Sequence, residues 1–151
     1  MIRISSINIA ALIIILIATT AAFFALSRKM RVVNKSKDFT IPVAIPTTGI
    51  EIPVLVTYSG PKGLALLNFS QNHINPRLVL YEDRMEYKVL ARKAVNYSQI
   101  EYIRVLASPF FYRIQFAFYD RNTTFSPHLA NREIVECLVD FFRARGIPVN
   151  N

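Results

Sequence analysis

The chain has 151 residues, of which 52% are hydrophobic, a length that holds one compact domain and a short appendage. Its formal charge is +8, but six of the 18 Lys+Arg precede Asp38 and all 10 Asp+Glu lie from Asp38 onward, so residues 38–151 carry 12 against 10, a net of only +2. A nucleic-acid-binding module carries its basic surface on the folded domain, which excludes that class, and the single cysteine, Cys137, excludes an intramolecular disulfide.

The first element is an uncharged run of 20 residues, Ile7–Leu26, in which only Asn8, Thr19 and Thr20 are polar. As a helix it spans about 30 Å, the thickness of a bilayer's hydrocarbon core. A cleaved signal peptide has a shorter apolar region, about 7–15 residues, followed by a small-residue site; Thr20–Ala22 offers such a site, so export remains the competing reading. Arg28, Lys29, Arg31, Lys35 and Lys37 put five cations in ten residues directly after the run, whereas only Arg3 precedes it. Lys and Arg near a span are retained on the cytoplasmic side. The sequence therefore predicts an uncleaved anchor over 1–27, a basic juxtamembrane linker over 28–40 and a cytoplasmic domain over 41–151. Four Asn-x-Ser/Thr triplets, at Asn34, Asn68, Asn96 and Asn122, point the other way, toward a glycosylated exterior, and are read as chance.

Pro42, Pro46 and Pro53 forbid helix after the linker and predict extended chain. Ser59–Gly63 reads as a turn, Leu64–Phe69 as a short apolar run and the stretch from Ser70 to Pro76 as a polar loop. The strongest strand signal starts at Arg77: "RLVLY" and "RMEYKVL" flank "ED", and Met85, Tyr87 and Val89 alternate with Glu86 and Lys88, as in a hairpin with one buried face. Ile100–Leu106 and the aromatic Phe110–Tyr119 predict two more strands, giving about seven between Val54 and Phe125. The period then changes. Ile134, Leu138, Phe141 and Phe142 recur at helical spacing with Cys137 beside them; Asn131 is a fitting N-cap, Gly146 a left-handed C-cap, and Ile147 is placed to pack back on Phe142.

This order of elements, with "LVLYEDRMEYKVLARKAVNYSQIEYIRV", "IQFAFYD" and a helix ending "FFRARGIPV", resembles bacterial pleckstrin-homology (PH)-like and GRAM-like domains over about residues 50–148. The resemblance implies an α+β, mainly β fold: an N-terminal transmembrane helix followed by a seven-strand PH-like barrel capped by the C-terminal helix. It also implies a structural, protein-binding or lipid-binding role, since fold alone does not assign chemistry. In lipid-binding members, basic residues near an early hairpin grip phosphoinositide headgroups, which draws attention to Lys88, Arg92 and Lys93, with Lys62 from the nearby turn.

Catalytic signatures are weak. Tyr58 and Lys62 have the Tyr-x-x-x-Lys spacing of a dehydrogenase relay, but Gly60 and Pro61 between them suit a turn and not that relay's helix. His73 and His128, the only histidines, read as surface residues in polar loops without neighbours at metal-ligand spacing. Glu82 and Asp83 read as solvated turn residues, and Cys137 as a small core residue. Phe111, Ile114, Phe116 and Phe118 read as core and not as a base-stacking platform, which would need a basic face. The sequence thus predicts a non-catalytic protein with no metal, cofactor or nucleic acid. Its partners are the membrane and a protein, with Arg28, Lys29, Arg31, Lys35 and Lys37 as the lipid-contacting residues, each attracted to an anionic surface by about 1 kcal/mol.

Overall fold

A computed structural model of the protein describes residues 6–37, 39–64, 67–108 and 111–150. The fold is α+β and mainly β, with one apolar N-terminal helix and one C-terminal helix. Helix α1 runs unbroken over Ser6–Lys35, so most of the segment expected to be a linker is helical. The reason is local: Arg, Lys and Met are good helix formers, and no Pro or Gly intervenes before Pro42. Charge ends the apolar stretch without ending the helix. Within the apolar part, Thr19 Oγ1 donates to the Ile15 carbonyl at 2.9 Å and Ser27 Oγ to that of Phe23 at 2.7 Å, which hides both hydroxyls on the helix's own backbone.

Ten strands follow among the described residues: β1 (Ile50–Glu51), β2 (Val54–Pro61), β3 (Ser70–Asn72), β4 (Arg77–Leu80), β5 (Arg84–Lys88), β6 (Arg92–Asn96), β7 (Ile100–Ser108), β8 (Phe111–Phe118), β9 (Thr123–Leu129) and β10 (Val149–Asn150). They form a four-stranded sheet in the order β1-β4-β5-β6 and a six-stranded sheet in the order β10-β7-β8-β9-β2-β3. Neither sheet closes on itself, so the described strands make two open sheets where a seven-strand barrel was expected. The chain changes sheet three times, once through the turn between β3 and β4 and twice at tight corners. One is Ile52–Pro53, where Ile52 N still donates to Leu78 O at 2.8 Å. The other is the 3₁₀ turn Tyr97–Gln99, held by the Gln99 side chain accepting from Asn96 N at 3.0 Å. Changing sheets at bends lets one chain supply both layers of a sandwich. Thr57, fully buried, ties the layers together by donating to Lys88 O at 2.6 Å.

The β4–β5 hairpin and its alternation hold: Met85, Tyr87 and Val89 are buried. Strand β6 was not expected, because four of its five residues are exposed and only Val95 is buried. Apart from Val95, which joins the core, it is held by backbone pairing with β5. Leu64–Phe69 forms no strand among its described residues; Ala65 and Leu66 lie outside them.

The core between the sheets is aromatic. Phe116 packs against Phe125 at 5.8 Å and edge-on to Phe142 at 5.2 Å, and Tyr87 stacks on Phe125 at 4.1 Å. Helix α2 (Arg132–Arg143) covers this core with Ile134, Val135, Leu138, Phe141 and Phe142. Its ends form as the sequence predicts. Asn131 Oδ1 accepts from Ile134 N at 3.0 Å, and Gly146, at φ 75°, sets up the bond from Ile147 N to Phe142 O at 3.1 Å. Cys137 is half-buried on the helix flank. Beyond Pro148 the chain adds β10 parallel to β7, pairing Val149 with Ile103. Of the aromatic strand, Ile114, Phe116 and Phe118 are buried as expected, but Phe111 is half-buried with its ring beneath the Arg113 guanidinium at 5.5 Å; Phe110 lies outside the described residues.

Candidate functional site

Two surfaces deserve weighing as sites: the exposed helix α1 and the cavity formed where it meets the six-stranded sheet. Residues Ile9–Asn34 of α1 are long and apolar enough to cross a membrane, and none of the span's most apolar window is buried within the protein. Ile14, Leu16, Phe23 and Phe24 are exposed. A contiguous apolar surface of this size is not left to water by a soluble domain.

The basic end of α1 carries Lys29, Arg31 and Lys37 at exposed positions, while the side chains of Arg28 and Lys35 lie outside the described ones. The helix ends against the domain. Ser36 is buried, its hydroxyl donates to Val33 O at 2.6 Å, and its carbonyl accepts from Asn131 Nδ2 at 3.0 Å. Asn131 therefore caps α2 with its oxygen and holds the end of α1 with its nitrogen.

Between α1 and the sheet lies a cavity of about 460 Å³, within the ~300–1,000 Å³ usual for small-molecule sites. Helix α1 gives Ala21, Phe24, Lys29 and Val32 to one wall. Strand β2 gives Val54, Leu55 and Val56 to the other. Three consecutive residues of β2 line one cavity where the β2–β9 register shifts between Val54 and Val56, a bulge that interrupts alternation. His73 and Ile74 form the rim. The Ile74 turn is stiff: Asn72 Oδ1 accepts from Ile74 N at 3.0 Å and Asn75 N at 3.1 Å, and Asn72 Nδ2 donates to Asn75 O at 3.0 Å. Ile74 itself is 85% exposed at its tip.

His128 completes the lining, and its position corrects the sequence reading. It belongs to β9, half-buried, in a cross-strand row with Val56 on β2 and Arg113 on β8. Pro127 beside it is accommodated because the β8–β9 ladder is interrupted there, between the Arg113–His128 and Phe116–Phe125 pairs. Burial lowers the His128 pKa, and the charges of Arg113 and Lys29 lower it further. The Arg113 guanidinium lies 4.5 Å over the Tyr58 ring, and its Nε and Nη1 are buried without a hydrogen-bond partner. Burial lowers its pKa as well. Neither Arg113 nor Lys29 enters an ion pair among the described residues. The cavity thus has apolar walls and one cationic end, and no carboxylate lines it among the described residues.

The other sequence candidates do not converge. Lys62 is bound to Glu101 and donates to Phe118 O at 3.2 Å, so it is not free to join a headgroup site, and its Tyr58 relay partner lies under Arg113. Lys88 faces Arg92 across the β5–β6 hairpin, and Lys93 lines a separate, smaller cavity of about 300 Å³ beside the exposed Leu90. Glu82 and Asp83 are exposed in the β4–β5 turn. Burial raises the pKa of both Tyr87 and Tyr97, which keeps these phenols neutral; the Tyr97 hydroxyl donates to Tyr81 O at 2.5 Å as a corner lock.

No protein-family model matches this chain, and no curated protein matches it significantly.

Proposed function

We propose that this protein is a non-catalytic, single-pass membrane protein whose small PH-like domain is held at the cytoplasmic face to bind a protein partner or anionic lipid headgroups. The observation that carries this reading is α1: a continuous helix none of whose most apolar window is buried among the described residues, and whose basic last turns lead into the contact with Asn131. The excess of cations after the apolar run supports the cytoplasmic orientation. Arg28, Lys29, Arg31, Lys35 and Lys37 then lie at headgroup level on one helix end, each adding about 1 kcal/mol of attraction to anionic lipid. The mainly β fold with a C-terminal helix covering its core is compatible with a PH-like domain, although its two sheets are open.

Extraction of membranes at alkaline pH, with the intact mass measured, tests the anchor. Retention of the full-length chain in the membrane pellet is expected; release of a chain shorter by about 22 residues, the length up to the small-residue site, overturns it. That outcome selects a second reading, an exported domain that binds a small apolar ligand, which the apolar walls of the α1 cavity favour.

A further inference from the structure

The cavity beside α1 has a polarity gradient that follows the membrane. Ala21 and Phe24 belong to the uncharged run, and Lys29 and Val32 lie one to three turns further along the same helix. If α1 crosses the bilayer, the Phe24 end opens at the edge of the hydrocarbon and the Lys29 end at the headgroups. We propose that this cavity binds one anionic phospholipid of the same leaflet, its acyl chain against Phe24, Val56 and Ile74 and its phosphate at Lys29 and His128. The inference rests on the membrane-anchored reading and deepens it, naming one built site where the basic helix end alone offers only a diffuse attraction.

Three observations favour this occupant over an apolar peptide or a neutral ligand. Among the described residues, the cationic end has no acidic counterpart in the lining. Behind His128 in the same row stands Arg113, whose buried Nε and Nη1 lack partners, so the positive field at this end is uncompensated. Arg113 is half-buried and rests on the Tyr58 and Phe111 rings, and a negative group at this end would meet a cation that no carboxylate among the described residues pairs. Finally, the rim residue Ile74 is exposed on a turn stiffened by Asn72, as suits a side chain that meets acyl chains and not water.

The test uses full-length protein in neutral detergent micelles, with bound lipid counted by native mass spectrometry during titration with phosphatidylglycerol or phosphatidylcholine. One phosphatidylglycerol is expected to be retained in preference to phosphatidylcholine. Lys29→Gln should weaken it about fivefold, the effect of one cation near a lipid surface. Val56→Trp should abolish it by filling the cavity, and Ile74→Glu, at an exposed position that leaves the core intact, should weaken it by a similar factor to Lys29→Gln. Arg31→Gln with Lys37→Gln, both outside the cavity lining, removes only diffuse attraction and should weaken phosphatidylglycerol retention less than Lys29→Gln does. Inorganic phosphate in excess should not displace it. Loss of binding with the Arg31 and Lys37 variants but not with Val56→Trp or Ile74→Glu overturns the cavity site while leaving the basic-surface reading standing. Equal retention of both lipids, or of neither, overturns it as well, and membrane extraction judges the anchor independently.

Discussion

Asn131 joins the two helices through opposite ends of one amide, which makes its replacement a measure of how firmly α1 is fixed to the domain. Its Oδ1 accepts from Ile134 N at 3.0 Å, and its Nδ2 donates to Ser36 O at 3.0 Å. Loss of an N-cap costs about 1 kcal/mol, and loss of a half-buried neutral hydrogen bond about 1 kcal/mol more. Asn131→Ala removes both and should destabilise the domain by about 2 kcal/mol. Asn131→Ser keeps an oxygen for the cap but cannot reach across to Ser36, and should cost about half as much. With a urea slope near 2 kcal/mol per M, the alanine variant's midpoint falls by about 1 M. The assay is urea unfolding of the full-length protein in micelles, followed by tyrosine fluorescence, since the chain has seven Tyr and no Trp. An alanine variant as stable as the parent refutes the double role. A serine variant indistinguishable from the parent shows that the bond to α1 contributes nothing.

Other consequences follow from the same geometry. Gly146 sits at φ 75° with open space where a Cβ would lie, so Gly146→Ala should cost about 1 kcal/mol through backbone conformation alone, read from the same urea curves. Thr57→Val should cost about 1–2 kcal/mol, because it strands the Lys88 carbonyl between the sheets. Phe116→Ala should cost about 3–5 kcal/mol from the centre of the core. His128 has a folded pKa below its ordinary value of about 6.5, so its contribution to stability is complete above that value and is lost as pH falls through the lowered one. Thermal melts between pH 7.5 and 4.5 should therefore fall less steeply for His128→Gln than for the parent, and identical slopes would refute the assignment.

Much of the fold is legible in the chain where local chemistry and tertiary packing agree. The β4–β5 alternation and the α2 caps are written in side-chain period, in Asn131 and in Gly146, and each forms where the residues place it. Elements that depend mainly on backbone pairing are not legible. Strand β6 buries only Val95, β3 has three residues at a sheet edge, and β10 follows a proline; none of them carries an apolar period. Sheet closure is hidden for a similar reason, because the corners at Ile52–Pro53 and Tyr97–Gln99 redistribute strands between layers without changing their pattern. The site was the least legible part. His73 and His128 are 55 positions apart and sit beside prolines and polar residues, so nothing in their surroundings announces that both line one cavity with Lys29. The signal present was the period of β9: Phe125 and Leu129 point to the core, which places His128 on the opposite face, the one α1 covers.

The central claim is that α1 remains attached and holds the β domain at the cytoplasmic face, and protease treatment of intact spheroplasts carrying a C-terminally tagged chain tests it most directly. The account predicts that the tag is protected until the membrane is permeabilised and that the protected species has the full-length mass. A tag digested in intact spheroplasts contradicts the orientation, and a tagged chain shorter by about 22 residues contradicts the anchor itself.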